Sequence, residues 1–404
     1  MSNSQYPSSA YRSTPRLFTV HIDKMDDPQS PYAAAHRNPK GPGDARPTAD
    51  QILKDNDRIS TLSDLAILIT GCSSGLGVET ARALAATGAT LYLTARNLTK
   101  AREALGADLL SNPKVNLLQL DLDSLTSVRS CAENFLSKSS KLNILITNAG
   151  IRHVAFAKTK DGFEHHMAVN HFSHFLLLKL LLPTLQASST MNFQSRVVAL
   201  SSGSHRNSPI EFDDINLENP GVYTPPKGYA QSKLANVYMT SEVTRRYGSS
   251  TNTNKPGVYG LAVMPGGIRT GLQQHGSNII PEFLKSWYYI KNILNMRILN
   301  IQKSPEQGAA TTVLAAVGRR FEGRGALYLE DCGESVPVKE GWGCLMGGMC
   351  LVGRIMRRMR GGCGVLVAGW LVWRMIEGDE EDGVSKDWFK NFILIHLSLG
   401  YCNR

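Results

Sequence analysis

Between residues 66 and 263 the chain alternates short, almost wholly apolar runs with longer segments of mixed polarity. The runs fall at 66–70, 91–94, 115–120, 142–146, 196–200 and 257–263. A short run without a polar face suits a strand covered on both sides, the situation in a parallel sheet. The intervening segments at 79–87, 125–137, 167–185 and 229–247 are long enough for helices. This rhythm predicts an α/β fold: one doubly wound parallel sheet with helices on both faces and its ligand at the carboxyl edge of the strands. Residues 325–329 offer a further strand, and no internal repeat is present.

The flanks read differently. Seven of the 18 prolines fall in the first fifty residues, among Ser, Asn and Gly, and such a stretch cannot bury enough apolar surface to offset its ordering entropy. Residues 1–60 are therefore expected to be a flexible arm, 61–335 a single catalytic domain, and 336–404 an atypical tail in which Gly, Met, Trp and Arg dominate without a period. Two apolar runs in the tail, 364–373 and 392–399, are too short to span a bilayer. A chain of 404 residues, 42% hydrophobic, has room for one such core and both appendages. Its net charge is +10, yet the 44 Lys and Arg are scattered rather than gathered into a run, which argues against nucleic-acid binding. The seven Cys show no CxxC pairing, and the amino terminus lacks a basic start followed by an apolar stretch. Reduced thiols and a cytoplasmic location are the expectation.

Candidate chemistry begins where the first apolar run ends. Thr70-Gly71-Cys72-Ser73-Ser74-Gly75-Leu76-Gly77 stands between that strand and the next helix. Glycines there allow a tight turn and a close approach of backbone to a pyrophosphate, and the helix start offers unpaired N–H groups. Gly71, Ser73, Ser74, Gly75, Leu76 and Gly77 are the expected contacts. There is no GxxxxGK[ST], which excludes an NTPase P-loop. Farther on, Tyr229-Ala-Gln-Ser-Lys233 puts a phenol and an ammonium on one helix face at i and i+4. A free Tyr titrates at about 10 and a neighbouring cation favours phenolate, so Lys233 is expected to lower the Tyr229 pKa and make it an acid and base.

The TGxxxGxG spacing followed by YxxxK resembles the short-chain dehydrogenase/reductase family, and the likeness covers about residues 60–335 with five motifs in the family's order. It implies a Rossmann-type sheet and hydride transfer between a nicotinamide cofactor and a ketone, aldehyde or alcohol. Arg96 stands where an NAD enzyme would carry an acid for the ribose hydroxyls. A guanidinium attracts a 2′-phosphate, which favours NADP(H) over NAD(H). The resemblance further implies adenine contact by Asp121 and a buttress for the cofactor at Asn148. It gives Ser202, rather than Ser201, as the hydroxyl that polarises the substrate oxygen beside Tyr229, since alternate strand residues face opposite ways. Lys233 would also bond the nicotinamide ribose, Asn170 would hold a water in the proton relay, and Ile268 and Thr270 would meet the nicotinamide end. The strings Ser-Ser-x-x-His205 and Tyr-x-x-Ser-Lys-Leu-Ala-Asn236 are similar to the retinol-dehydrogenase-like and fungal reductase branch, some of whose members serve secondary metabolism.

Five of the ten His lie between 153 and 174, but without HExxH or a nearby ligand pair no metal is expected. His171 and His174 resemble the family's Asn-His-x-x-His-Phe packing segment. Phe283, Trp287, Tyr288 and Tyr289 fall where the family closes over its substrate and are expected to form a lid. The likeness stops near Trp342. The tail beyond it reads either as a retained intron or frame-shifted gene model, or as a segment for partner or membrane contact. Homo-oligomerisation stays open. Two functions also stand: a reductase or dehydrogenase for a small carbonyl or alcohol, and a catalytically silent NADP(H)-binding redox sensor or scaffold. The presence of Ser202, Tyr229 and Lys233 favours the first.

Overall fold

Ala66 to Thr70 offer no polar face to water, and they form the central strand β1 (Ala66–Thr70), buried at every position. In the computed structural model, which describes residues 30–152, 154–249, 256–268 and 300–335, β1 pairs in parallel with β2 (Thr90–Ala95) on one side and β4 (Ile144–Thr147) on the other. β3 (Val115–Gln119) extends the sheet beyond β2, and β5 (Ser195–Leu200) and β6 (Val258–Met264) extend it beyond β4. A separate two-residue pair joins β7 (Gly267–Ile268) to β8 (Gln302–Lys303). β9 (Leu327–Glu330) lies parallel beside β6, and antiparallel β10 (Gly333–Glu334) closes that edge of an eight-stranded sheet. The order reverses between β1 and β4, and the crevice for a ligand lies outside their carboxyl ends.

Side chains alternate across each strand, so Ile67 and Ile69 enter one core and Ala66 and Leu68 the other. The first core holds α2 (Ala49–Asp55), α3 (Leu76–Ala85), α4 (Leu98–Leu110) and α9 (Pro305–Val317). The second holds α5 (Leu125–Lys138), α7 (Ser173–Ser188) and α8 (Pro225–Tyr247). Two short helices, α1 (Ala33–Arg37) and α6 (His165–Met167), complete the α-helices among the described residues. This is the doubly wound sheet, helical on both faces, that the apolar rhythm predicts. α8 starts by rule: Thr224 accepts from Lys227 N, and Pro225 occupies the first turn, where an N–H has no helical partner.

Two expectations need correction. The flexible arm does not extend to residue 60: residues 30–60 are packed, with Ile52 and Leu53 fully buried against α3 and α9. Polar groups in this stretch find partners far along the chain. Arg46 donates to the carbonyls of Ile301 and Gln302, and Gln307 Nε2 donates to Asp44 O and Arg46 O. One apolar pair on α2 and these bonds anchor a segment whose composition favours disorder. The continuous helix expected over 167–185 is also interrupted, by a π turn at Ala168–Phe172 that carries Asn170. Among the described residues, no helix is long and apolar enough to cross a membrane.

Candidate active site

The glycine loop is tied down from two sides. Gly71 N and Cys72 N both donate to Thr94 O at the end of β2 (3.0 and 2.9 Å). Asn148 Nδ2 donates to Thr70 O at 2.8 Å. A Cβ on Gly77 would sit 2.3 Å from Gly71 O and 2.7 Å from Asn148 Nδ2, so only glycine lets α3 start so close to the strand. Gly75, at φ 61°, is the N-cap of α3 and brings no side-chain acceptor, which leaves the first helical amides to a ligand. Ser73 is half-buried and Ser74 exposed beside them. This uncapped start, the glycine turn and the hydroxyls fit a dinucleotide's pyrophosphate. Cys72 is directed away: it is buried, its thiol reaches Ile69 O, and burial pushes it up to about 12. Farther along the same edge, Arg96 is exposed after β2, and the Asp121 carboxylate after β3 accepts from Asp123 N at 3.1 Å.

The residues expected to transfer protons gather at the ends of β4 and β5. Tyr229 is 6% exposed, and the Ser202 side chain stands close enough to its phenol to favour the ionised form. Ser201 faces the other way and donates to Lys233 O at 2.8 Å. Lys233 Nζ stands 5.7 Å from the Tyr229 ring centroid and donates to Leu200 O at 3.0 Å. Burial lowers the ammonium to about 8. Burial also raises the Tyr229 phenol, against the expectation that Lys233 would lower it. The opposing pulls on the phenol come from the nearby Ser202 side chain and from the charge of Arg152. Arg152 lies over the Tyr229 ring with its guanidinium carbon 5.4 Å from the centroid. No sequence motif includes it; the one available signal is a charged residue placed just after Asn148-Ala149-Gly150.

Asn170 is fully buried in its π turn, a distortion common at functional sites. Its Oδ1 accepts from Ile151 N (2.8 Å), and its Nδ2 donates to Ile151 O and Ser232 Oγ. An amide oxygen has two lone pairs, so one remains on Oδ1. A Cβ built on Gly150 would lie 3.0 Å from Oδ1 and 3.3 Å from Lys233 Nζ, which places both groups around that glycine. Asn236 steadies this arrangement by donating to Asn170 O and to Leu200 O, the carbonyl Lys233 also uses.

His174, expected only to pack, joins the two halves of the site. Its Nδ1 meets Asn170 O (3.1 Å) and its Nε2 meets Thr70 Oγ1 (2.9 Å), while Ala149 N donates to Thr70 Oγ1. Since a carbonyl only accepts, Nδ1 carries the proton and Nε2 accepts from Thr70. Buried and neutral, His174 is lowered to about 3 and His171 to about 4. His171 bonds Asn236 Oδ1. Among the described residues, no three His, Cys, Asp or Glu are arranged for a metal ion.

Ile268, the residue expected to meet the nicotinamide, is 6% exposed on β7. A Cβ on Gly308 of α9 would meet both Ile268 Cγ1 (2.6 Å) and Leu76 Cδ2 (2.7 Å), so the phosphate loop and β7 close onto one glycine. Thr270, the expected lid residues Phe283, Trp287, Tyr288 and Tyr289, and the tail at 336–404 lie outside the described residues. An apolar groove between α7 and α8, lined by Phe175, Leu178, Leu182 and Met239 among others, is separate from the cluster around Tyr229.

Comparison with known proteins agrees with this geometry. The family model for short chain dehydrogenase matches residues 65–213. Short-chain dehydrogenase/reductase prx1 of Penicillium roqueforti is 50% identical over 325 residues, covering 80% of this chain and 89% of that protein. Oxidoreductase calI of Penicillium decumbens is 42% identical over 307 residues, 74% of this chain and 86% of the relative. Human retinol dehydrogenase 12 is 36% identical over 269 residues, 66% and 77% of the two chains. Among solved structures, the Pseudomonas aeruginosa RhlG/NADP active-site complex aligns over 67% of this chain and 96% of its own, with a TM-score of 0.50 and 21% identity, a likeness of fold. With the sheet order, the glycine loop and relatives at half identity over four-fifths of its length, the chain belongs to the short-chain dehydrogenase/reductase family.

Proposed function

We propose that the chain is an NADP(H)-dependent reductase or dehydrogenase for a ketone, aldehyde or alcohol of secondary metabolism. The observation that carries this reading is the buried Tyr229 phenol beside Ser202, with Lys233 against the same ring and the glycine loop on the same sheet edge. Exposed Arg96 supports the phosphorylated cofactor, and the two Penicillium relatives support the metabolic setting.

A nicotinamide dinucleotide held at the glycine loop would supply or take the hydride. Tyr229 gives its proton to the carbonyl oxygen in reduction and takes it from the hydroxyl in oxidation. Ser202 hydrogen-bonds the same oxygen and stabilises charge developing on it. Lys233, with an ammonium near 8, exchanges protons readily at neutral pH. The spare lone pair on Asn170 Oδ1 can hold a water beside it for the relay. Burial of Tyr229 keeps the phenol protonated until substrate arrives, which suits a proton donor.

The test is NADPH oxidation with a panel of carbonyl compounds, wild type against Tyr229→Phe. The variant should bind NADPH normally and lose about a hundred- to ten-thousand-fold in turnover. Equal turnover in both proteins contradicts the role given to Tyr229, and tight cofactor binding without turnover in either contradicts the enzyme reading.

A further inference from the structure

Arg152 lies two residues beyond Gly150, at the carboxyl end of β4, and no motif assigns it a role. Among the described residues, its buried Nε has no hydrogen-bond partner. An unmatched N–H on a charged group is costly and needs compensation. The compensation available is the face of Tyr229, 5.4 Å from the guanidinium carbon. A cation over an aromatic face is attracted to its electron density, and an opposite charge nearby favours the ionised form, here the phenolate.

Among the described residues, five groups face Tyr229. They are Lys233 from its own helix, Arg152 after β4, Ser202 after β5, His166 on α6 with its ring 6.2 Å away, and Tyr328 on β9. His166 is bonded to the buried Glu164 carboxylate through Nδ1 at 2.9 Å, so an acid stands behind it. Lys233 has its ammonium directed at Leu200 O, and with a pKa of about 8 its charge fades as the solution turns alkaline. A guanidinium, unlike an ammonium, keeps its charge across the whole range in which proteins stay folded.

We infer that Arg152 is a positioning residue for proton transfer, a fixed positive charge over the ring of Tyr229 that stabilises its phenolate alongside Lys233. The inference rests on the reading of Tyr229 as the acid and base. It divides the electrostatic work between a cation that can exchange a proton and one that cannot.

The experiment uses the full-length protein carrying tyrosine labelled with 13C at Cζ, titrated by NMR, with the Tyr229 signal identified by its disappearance in Tyr229→Phe. In Arg152→Met the Tyr229 midpoint should rise by about one pH unit, roughly tenfold less phenolate at a given pH. Arg152→Lys should recover at least half of that rise. Arg152→Gln, which keeps hydrogen-bonding capacity without charge, should behave as Met does and carries the test if the Met variant does not fold. An unchanged midpoint in the neutral variants overturns the inference, as does a Lys variant no different from Met. The midpoint is read without substrate, so failure of the carbonyl panel in wild type would count against the enzyme reading alone.

Discussion

At the scale of single residues, charge placed in the open is easier to read than charge placed under cover. Arg96 is exposed at the end of β2 and free to meet a 2′-phosphate. Arg96→Glu should weaken NADPH binding at least about tenfold, roughly 1.4 kcal/mol, and narrow or reverse the preference over NADH, as measured by fluorescence titration with each cofactor. An unaltered ratio would move cofactor choice away from this residue. Tyr229 and Lys233 were legible because helical spacing puts them on one face whatever else surrounds them. The direction of the Tyr229 shift was not, because spacing reports neighbours and says nothing of burial, which here raises the phenol. Arg152 escaped for a related reason: an isolated charge in a loop has no period, and its partner lies 77 positions on in the numbering, on α8.

At the scale of elements, the strands could be read because each is a run with no polar face. α9 could not be read from periodicity, because every residue from Gln307 to Val317 is buried and the helix has no polar side to mark its turn. Its start did carry a signal in Ser304 and Gln307, whose side chains cap each other's backbone. Its end is held by Arg196, a fully buried guanidinium on β5 that donates to the carbonyls of Ala315, Ala316 and Gly318. α2 was lost in its surroundings: seven residues among prolines and glycines resemble a linker until their apolar pair is seen against α9. Leu53→Ala should therefore cost about 2–5 kcal/mol, the range for a leucine removed from a packed core, read from urea unfolding. A cost below about 0.5 kcal/mol, typical of an exposed site, would return α2 to the status of a loose arm.

Across the whole molecule, the buried histidines tie stability to acidity. His171, His174 and His205 are neutral in the fold, lowered by burial from 6.5 to about 4, 3 and 4. Between those values and 6.5 the unfolded chain binds more protons than the folded one, so stability falls as pH drops through that window and is unaffected by these groups above it. The urea midpoint should decline from pH 7 to pH 5, and decline less steeply in His171→Asn. An equal slope in both proteins would assign the acid sensitivity to carboxylates. The meeting of Leu76 and Ile268 on Gly308 carries a further consequence. The proposed contacts to the pyrophosphate at Leu76 and to the nicotinamide at Ile268 rest on a common abutment, so the span between those two groups would be gauged from one point on α9. Whatever stiffens that helix, Arg196 at its end and α2 along its flank, sets the tolerance of the gauge. Residues 30–60, expected to belong to a flexible arm, are thereby part of the footing proposed for the cofactor.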